Sequence, residues 1–185
     1  MVRPSRLLSP LLLCIAVPLA SASIERLTLR QMVEKTDGGI YGEIVSSSVS
    51  AIPMDDGSEE FYVTTLSLRG HSIYTGEELS VSVSFPGGFV DSERGVWNSE
   101  APSADDTAVG NRIVAFWKWS PNMGGGFAAN ALYASHGGLF RTFESKKGQR
   151  IVQGRGVGYA VPGNLTLADL ERDARAHRRD IERGR

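Results

Sequence analysis

Residues 79–85 read Leu-Ser-Val-Ser-Val-Ser-Phe. An apolar residue at every second position fits a strand and no helix, because only an extended chain turns alternate side chains to opposite faces. Leu79, Val81, Val83 and Phe85 predict a buried face and the serines between them an open one. A segment half-buried in this way needs strands beside it and a core beneath it. Tyr74-Thr75-Gly76-Glu77 supplies the turn before it, and Pro86-Gly87-Gly88 the stop after it.

The same period recurs along the chain. Residues 40–45 start a strand that the Ser/Val run carries to Ile52, and Pro53-Met54-Asp55-Asp56-Gly57 is turn chemistry. Residues 61–68 are β-branched and aromatic, residues 112–119 are strongly apolar, and both read as strands. Residues 131–134 and 139–143 predict a hairpin around Ser135-His136-Gly137-Gly138, and residues 151–153 a last strand. Residues 91–110 are polar and carry no element; a connection that long is functional or mobile.

Helical periods stand at the two ends. Thr28 and Gln31 have capping-box spacing, with Leu29, Met32 and Val33 on one face of a helix within residues 24–36. Thr166 and Asp169 start a second helix, residues 164–185. In it Leu167, Leu170, Ala174, His177 and Ile181 form a two-heptad seam, and Glu171 sits four residues before Arg175. The expected fold is mainly β: a small barrel of about five to seven strands over residues 23–163, with an N-terminal helix and a C-terminal amphipathic helix.

Residues 1–22 read as a signal peptide. Arg3 and Arg6 form the positive region, residues 11–17 an apolar run too short to span a bilayer, and Ala20-Ser21-Ala22 the small-x-small cleavage site. Cleavage after Ala22 predicts an exported chain, periplasmic or extracellular, without a later membrane span. It removes Cys14, the one cysteine, so the mature chain has no thiol and no disulfide. It also turns 20 basic residues into 18 against 21 acidic, a formal charge of −3, which argues against nucleic acid as a partner.

The order of these segments resembles a family of exported bacterial domains without an established activity. Asp37-Gly38-Gly39-Ile40-Tyr41-Gly42-Glu43-Ile44-Val45 stands where that family has its D-x-V-V-x-G-x-V strand, and Phe85-Pro86-Gly87-Gly88 matches its P-G-G stop. Ala101-Pro102 followed by residues 109–116 is similar to its A-P … V-G-E-x-V-V-x-F segment, with Asn111 in place of the usual Glu. The likeness covers residues 25–165. It implies an OB-like barrel similar to the tissue-inhibitor and netrin-type domains, whose loops bind proteins, sugars or nucleic acid. It implies no catalytic residue. The metal-directed N-terminal cysteine of the inhibitors has no counterpart in a mature chain without cysteine.

Chemistry-bearing patterns are sparse. His71, His136 and His177 lack metal-ligand spacing, so neither a metal nor a cofactor is expected. Ser135-His136-Gly137-Gly138 is similar to an esterase oxyanion loop, yet the chain has no G-x-S-x-G elbow. Gly154-Arg155-Gly156-Val157-Gly158 leads into Tyr159-Ala160-Val161-Pro162 and not into the helix that a dinucleotide site needs. The acidic positions Asp55, Asp56, Glu59, Glu60, Asp91 and Glu93 lack regular calcium-loop spacing and read as solvated loop charge. Trp117 and Trp119 share one strand face; with Met123 and His136 they form the candidate contact patch.

Three functions stand as expectations. The first is a non-catalytic binding or accessory module of the cell envelope or exterior, with a protein or glycan partner. The second is a hydrolase using loop carboxylates such as Glu43, Asp91 and Glu93. The third is assembly, by self-association through residues 164–185.

Overall fold

The computed structural model describes residues 25–54, 57 and 59–184. The predicted signal peptide and the acidic pair Asp55-Asp56 lie outside the described residues.

Helix α1, Leu29–Lys35, opens with the reciprocal cap expected of Thr28 and Gln31. Thr28 Oγ1 accepts from the Gln31 N–H at 3.3 Å and Gln31 Oε1 accepts from the Thr28 N–H at 2.9 Å. Strand β1, Gly38–Ile52, then pairs antiparallel with β2, Phe61–Ser72, which pairs with β3, Glu78–Pro86. A two-residue ladder, β4 (Gly88–Phe89) with β5 (Gly95–Val96), leads to β6, Arg112–Ser120. Strand β7, Ala129–Leu132, lies antiparallel to β6 and parallel to β3, and β6 pairs back onto β1. The ring β1-β2-β3-β7-β6 thereby closes a five-stranded barrel. Three further strands extend the sheet: β8 (Leu139–Glu144), β9 (Arg150–Val152) and β10 (Leu165–Thr166), followed by α2, Leu167–Arg183. The fold is mainly β with one helix near each end, as expected.

The predicted hairpin around Ser135-His136-Gly137-Gly138 does not form. Strands β7 and β8 share β6 as partner, β7 along Trp117–Ser120 and β8 along Ile113–Ala115, with a 3₁₀ turn at Ser135–Gly138 between them. The parallel pairing of β7 with β3 pulls the first arm away from the second.

Two apolar clusters hold these elements. Ile40, Ile44, Leu66, Val83, Ile113 and Trp117 fill the barrel, and Val114, Phe116, Phe140, Met32, Val33 and Leu170 lie between its wall and the helices. Alternation along β6 accounts for this: odd positions 113–117 point in, and Val114 and Phe116 point out under α1 and α2. The Trp117 ring occupies the space beside Gly38, where a Cβ would stand 2.1 Å from it. In β1 the inward parity changes at a bulge, where Ile44 pairs with Leu68 and Ser46 with Ser67, leaving Val45 extra and exposed.

Helix α2 caps through Thr166, whose Oγ1 accepts from the Asp169 N–H at 3.1 Å. The Thr166 hydroxyl and the Arg172 guanidinium hold the Asp169 carboxyl below its ordinary pKa. Its seam faces inward, with Leu170 and Ala174 fully buried and Leu167 and Ile181 packed on the same cluster. Glu171 ties α2 to the barrel: its Oε1 lies 2.6 Å from His71 Nε2, and its Oε2 accepts from Arg175 at 3.2 Å.

Beneath α2, Tyr74 has its hydroxyl 2.9 Å from Thr36 Oγ1 and its ring under the Arg178 guanidinium. Burial pushes its pKa up to about 12. In the unfolded chain the phenol ionises near 10. The folded value is the higher, so the stability this group contributes is whole below pH 10 and is lost as pH climbs toward 12. We expect absorbance at 295 nm to show a tyrosine ionising about two pH units late, and Tyr74→Phe to remove that phase. Complete ionisation of all five tyrosines near pH 10 with the fold intact would contradict it.

Candidate functional site

Strand β3 ends at Pro86 because Gly87 and Gly88 take positive φ of 99° and 124° and turn the chain across the end of β2. The turn is held by the Thr64 hydroxyl, which donates to the Gly87 carbonyl at 2.6 Å. The chain then makes the β4/β5 ladder and continues to β6 as one long connection over the barrel mouth. Asp91 closes the ladder's tip, its Oδ1 accepting from the Glu93 and Arg94 N–H groups, each at 2.9 Å, and its Oδ2 from Arg94 Nε. The Glu93 N–H bond and the Arg94 side chain hold the Asp91 carboxyl below the usual carboxylate range.

The connection is anchored along its length. Asn98 Nδ2 donates to the Pro86 carbonyl at 3.0 Å, and Asn98 Oδ1 accepts from the Glu100 N–H at 3.0 Å. The Glu100 carbonyl accepts from the His136 backbone N–H and lies 3.0 Å from its Nδ1. Asp106 pairs with Arg141 and Arg155, each at 3.4 Å, and Arg155 Nε donates to the Leu139 carbonyl at 2.9 Å.

Under this connection lies a cavity of about 510 Å³. Its floor is the barrel end, Ser47, Val49, Thr64 and Phe85; its far wall is the segment from Ala101 to Thr107. Phe89, Val96 and Trp97 form the rim, exposed by 53%, 47% and 80%. Among the described residues, not one lining side chain is ionisable. Polar capacity comes from Ser, Thr and Asn, and Val96, Trp97, Asn98 and Ser99 also line a neighbouring groove beside Tyr62. Apolar walls with a few neutral polar groups are the ordinary make-up of a ligand site. Exposed aromatics massed at its edge are unusual on a surface with no partner.

The residues singled out in the sequence lie elsewhere. Trp117 is 8% exposed and belongs to the barrel core, while Trp119, on the same parity but past the closed part of the barrel, is 54% exposed. The Trp119 N–H donates to Asp37 at 2.7 Å. Met123 is half-buried in the loop after β6, and neither it nor Trp119 lines the cavity. His136 is half-buried, with Nε2 3.5 Å from the Tyr159 hydroxyl, and holds the connection through Glu100. The four are therefore not one surface. Glu43 pairs with Arg112 at 3.6 Å on the β1–β6 ladder, whereas Asp91 is engaged in its own turn. Neither carboxylate lines the cavity.

Sequence reasoning missed Phe89, Val96 and Trp97. The available signal was Trp97 itself, a large aromatic in the middle of a long polar connection. Among the described residues no group of three His, Cys, Asp or Glu is placed to hold a metal ion, and no helix is long and apolar enough to cross a membrane. Comparison of the chain with family models, curated proteins and solved structures finds no match.

Proposed function

We propose that this chain is a non-catalytic binding module that takes an uncharged ligand in the cavity at the barrel mouth. One observation carries the reading: a cavity of about 510 Å³, with no ionisable side chain among the described residues that line it, opens beneath exposed Phe89, Val96 and Trp97. Such a lining binds by shape, stacking and neutral hydrogen bonds, and it brings no acid–base pair to a bound group. An OB-like assignment of the barrel agrees with it. The ring closes through one short parallel contact, and OB barrels are five-stranded, partly open and loop-binding. The signal-peptide pattern of residues 1–22 supports export and, with it, a ligand of the envelope or exterior.

Trp97 is the reporter and the anchor. We expect at least one member of a panel of neutral oligosaccharides and uncharged peptides to change tryptophan emission saturably. Trp97→Ala then weakens that binding roughly tenfold or more, as truncation of an aromatic anchor does. Trp119→Ala, away from the cavity, leaves the affinity unchanged. Equal losses from both variants, or a loss from Trp119→Ala alone, would overturn the assignment of the site.

A further inference from the structure

Strand β1 has two edges, and one is only half covered. Strand β2 pairs with β1 from Ile40 to Ile52, whereas β6 pairs only with Gly38–Glu43. Ile44 is the last residue served on that side: its N–H donates to the Asn111 carbonyl at 2.9 Å, and its carbonyl accepts from the Gly110 N–H at 2.8 Å. From Ser46 to Ile52, among the described residues, β2 is the only strand partner and no loop makes a backbone–backbone hydrogen bond; the turn at Gly125 packs on the far end, at Ile52 and Pro53. Half the backbone groups of this stretch therefore face an open edge.

Past the bulge at Val45, the edge carries no charged residue and no proline. Exposed edges are normally blunted by lysine, proline or inward-pointing charge. Here the sequence is Ser46-Ser47-Ser48-Val49-Ser50-Ala51-Ile52, small and uncharged, with Pro53 only after its end. Ser47 and Val49 of this edge also floor the neutral cavity. The segment from Ala101 to Thr107 lines the same cavity. The open part of the β1 edge thus adjoins the cavity, and a strand added there would extend the line that β6 holds along Gly38–Glu43.

We propose that the ligand is an extended, uncharged peptide segment of a partner protein, added as a strand to the Ser46–Ile52 edge. Its backbone completes the ladder, and alternate side chains enter the cavity against Phe85, Phe89 and Trp97, the strand-addition mode of peptide recognition. A lone segment is favoured over a second copy of this chain, because a second copy would bring the same edge, Ser46–Ile52, whose mostly small side chains would leave a cavity of about 510 Å³ largely unfilled. This inference rests on the binding reading above and names the class of ligand for the same site.

The test uses the full chain and a displayed library of seven-residue peptides built from uncharged residues. A selected peptide is expected to slow hydrogen exchange at least tenfold for those amides of Ser46–Ile52 that exchange fast in the free protein. The same peptide N-methylated at alternate backbone nitrogens loses binding at least tenfold. Ser47→Lys, at an exposed position on the edge, weakens it by a similar factor with unchanged melting temperature. Binding that needs Trp97 but leaves the edge amides unprotected overturns strand addition and leaves the cavity reading standing. An empty library overturns strand addition as well. Protection that rises with protein concentration alone assigns the edge to a second copy and also overturns it.

Discussion

Phe116→Ala is expected to lower the unfolding free energy by about 3–5 kcal/mol. Phe116 is fully buried on the outer face of β6, edge-to-face with Phe140 at 6.2 Å between ring centroids. It is the joint between barrel wall and helices, in one cluster with Met32, Val33 and Leu170. The strand on one side and the helices on the other fix the cavity left by truncation, so little of it collapses. A domain of this size holds about 5–15 kcal/mol in all, so the loss is a large share of the total. Phe116→Leu, which keeps most of the volume, is expected to lose less than half as much. Urea titration followed by circular dichroism reads both. A loss under about 1 kcal/mol for Phe116→Ala would mean that wall and helices are not packed as described.

Removal of residues 163–185 is expected to abolish cooperative folding. Helix α2 covers the cluster formed by Met32, Val33, Phe116 and Val161, all fully or almost fully buried. Deleting it strips that surface and takes away the buried Leu170, whose burial alone contributes roughly 1.5–3 kcal/mol. It also leaves His71 without Glu171. The sequence suggested that this seam pairs with a second copy. In the structure its inward positions are already occupied by the same chain, so the expected result of truncation is loss of the melting transition and not a smaller oligomer. A truncated chain that melts cooperatively near the full-length temperature, but with a lower mass in solution, would restore the assembly reading.

The two helices and the barrel strands were legible because their signals are local. The cap at Thr28, the seam of α2 and the alternation of residues 79–85 each depend on neighbours within a few positions. Pairing across the chain was not legible. The Ser84–Ala131 contact joins segments far apart in sequence, and it is what separates β7 from β8. Strand β10 has only two residues and exists because β9 lies beside it.

The site shows the same division. Parity placed Trp117 and Trp119 on one face correctly, yet parity does not say where along a strand the barrel closes. Trp117 lies within the closed part and Trp119 past it. The polar length of residues 91–110 marked the connection as functional or mobile. Its apolar rim emerges only once Gly87 and Gly88 turn the chain and the β4/β5 ladder sets Phe89 and Val96 side by side. The half-covered edge of β1 is a property of two strands and their register, invisible in either segment alone.

Ligand binding at the barrel mouth is read directly by backbone amide chemical-shift mapping of the chain, titrated with the tightest neutral ligand from the panel. The expected shifts concentrate on Ser47, Val49, Phe89, residues 96–99 and residues 101–107, with little change at Trp119, Met123 or the outer face of α2. Shifts centred on Trp119 and Met123, or on the Asp106–Arg141–Arg155 cluster, with the cavity silent, would contradict binding at the barrel mouth.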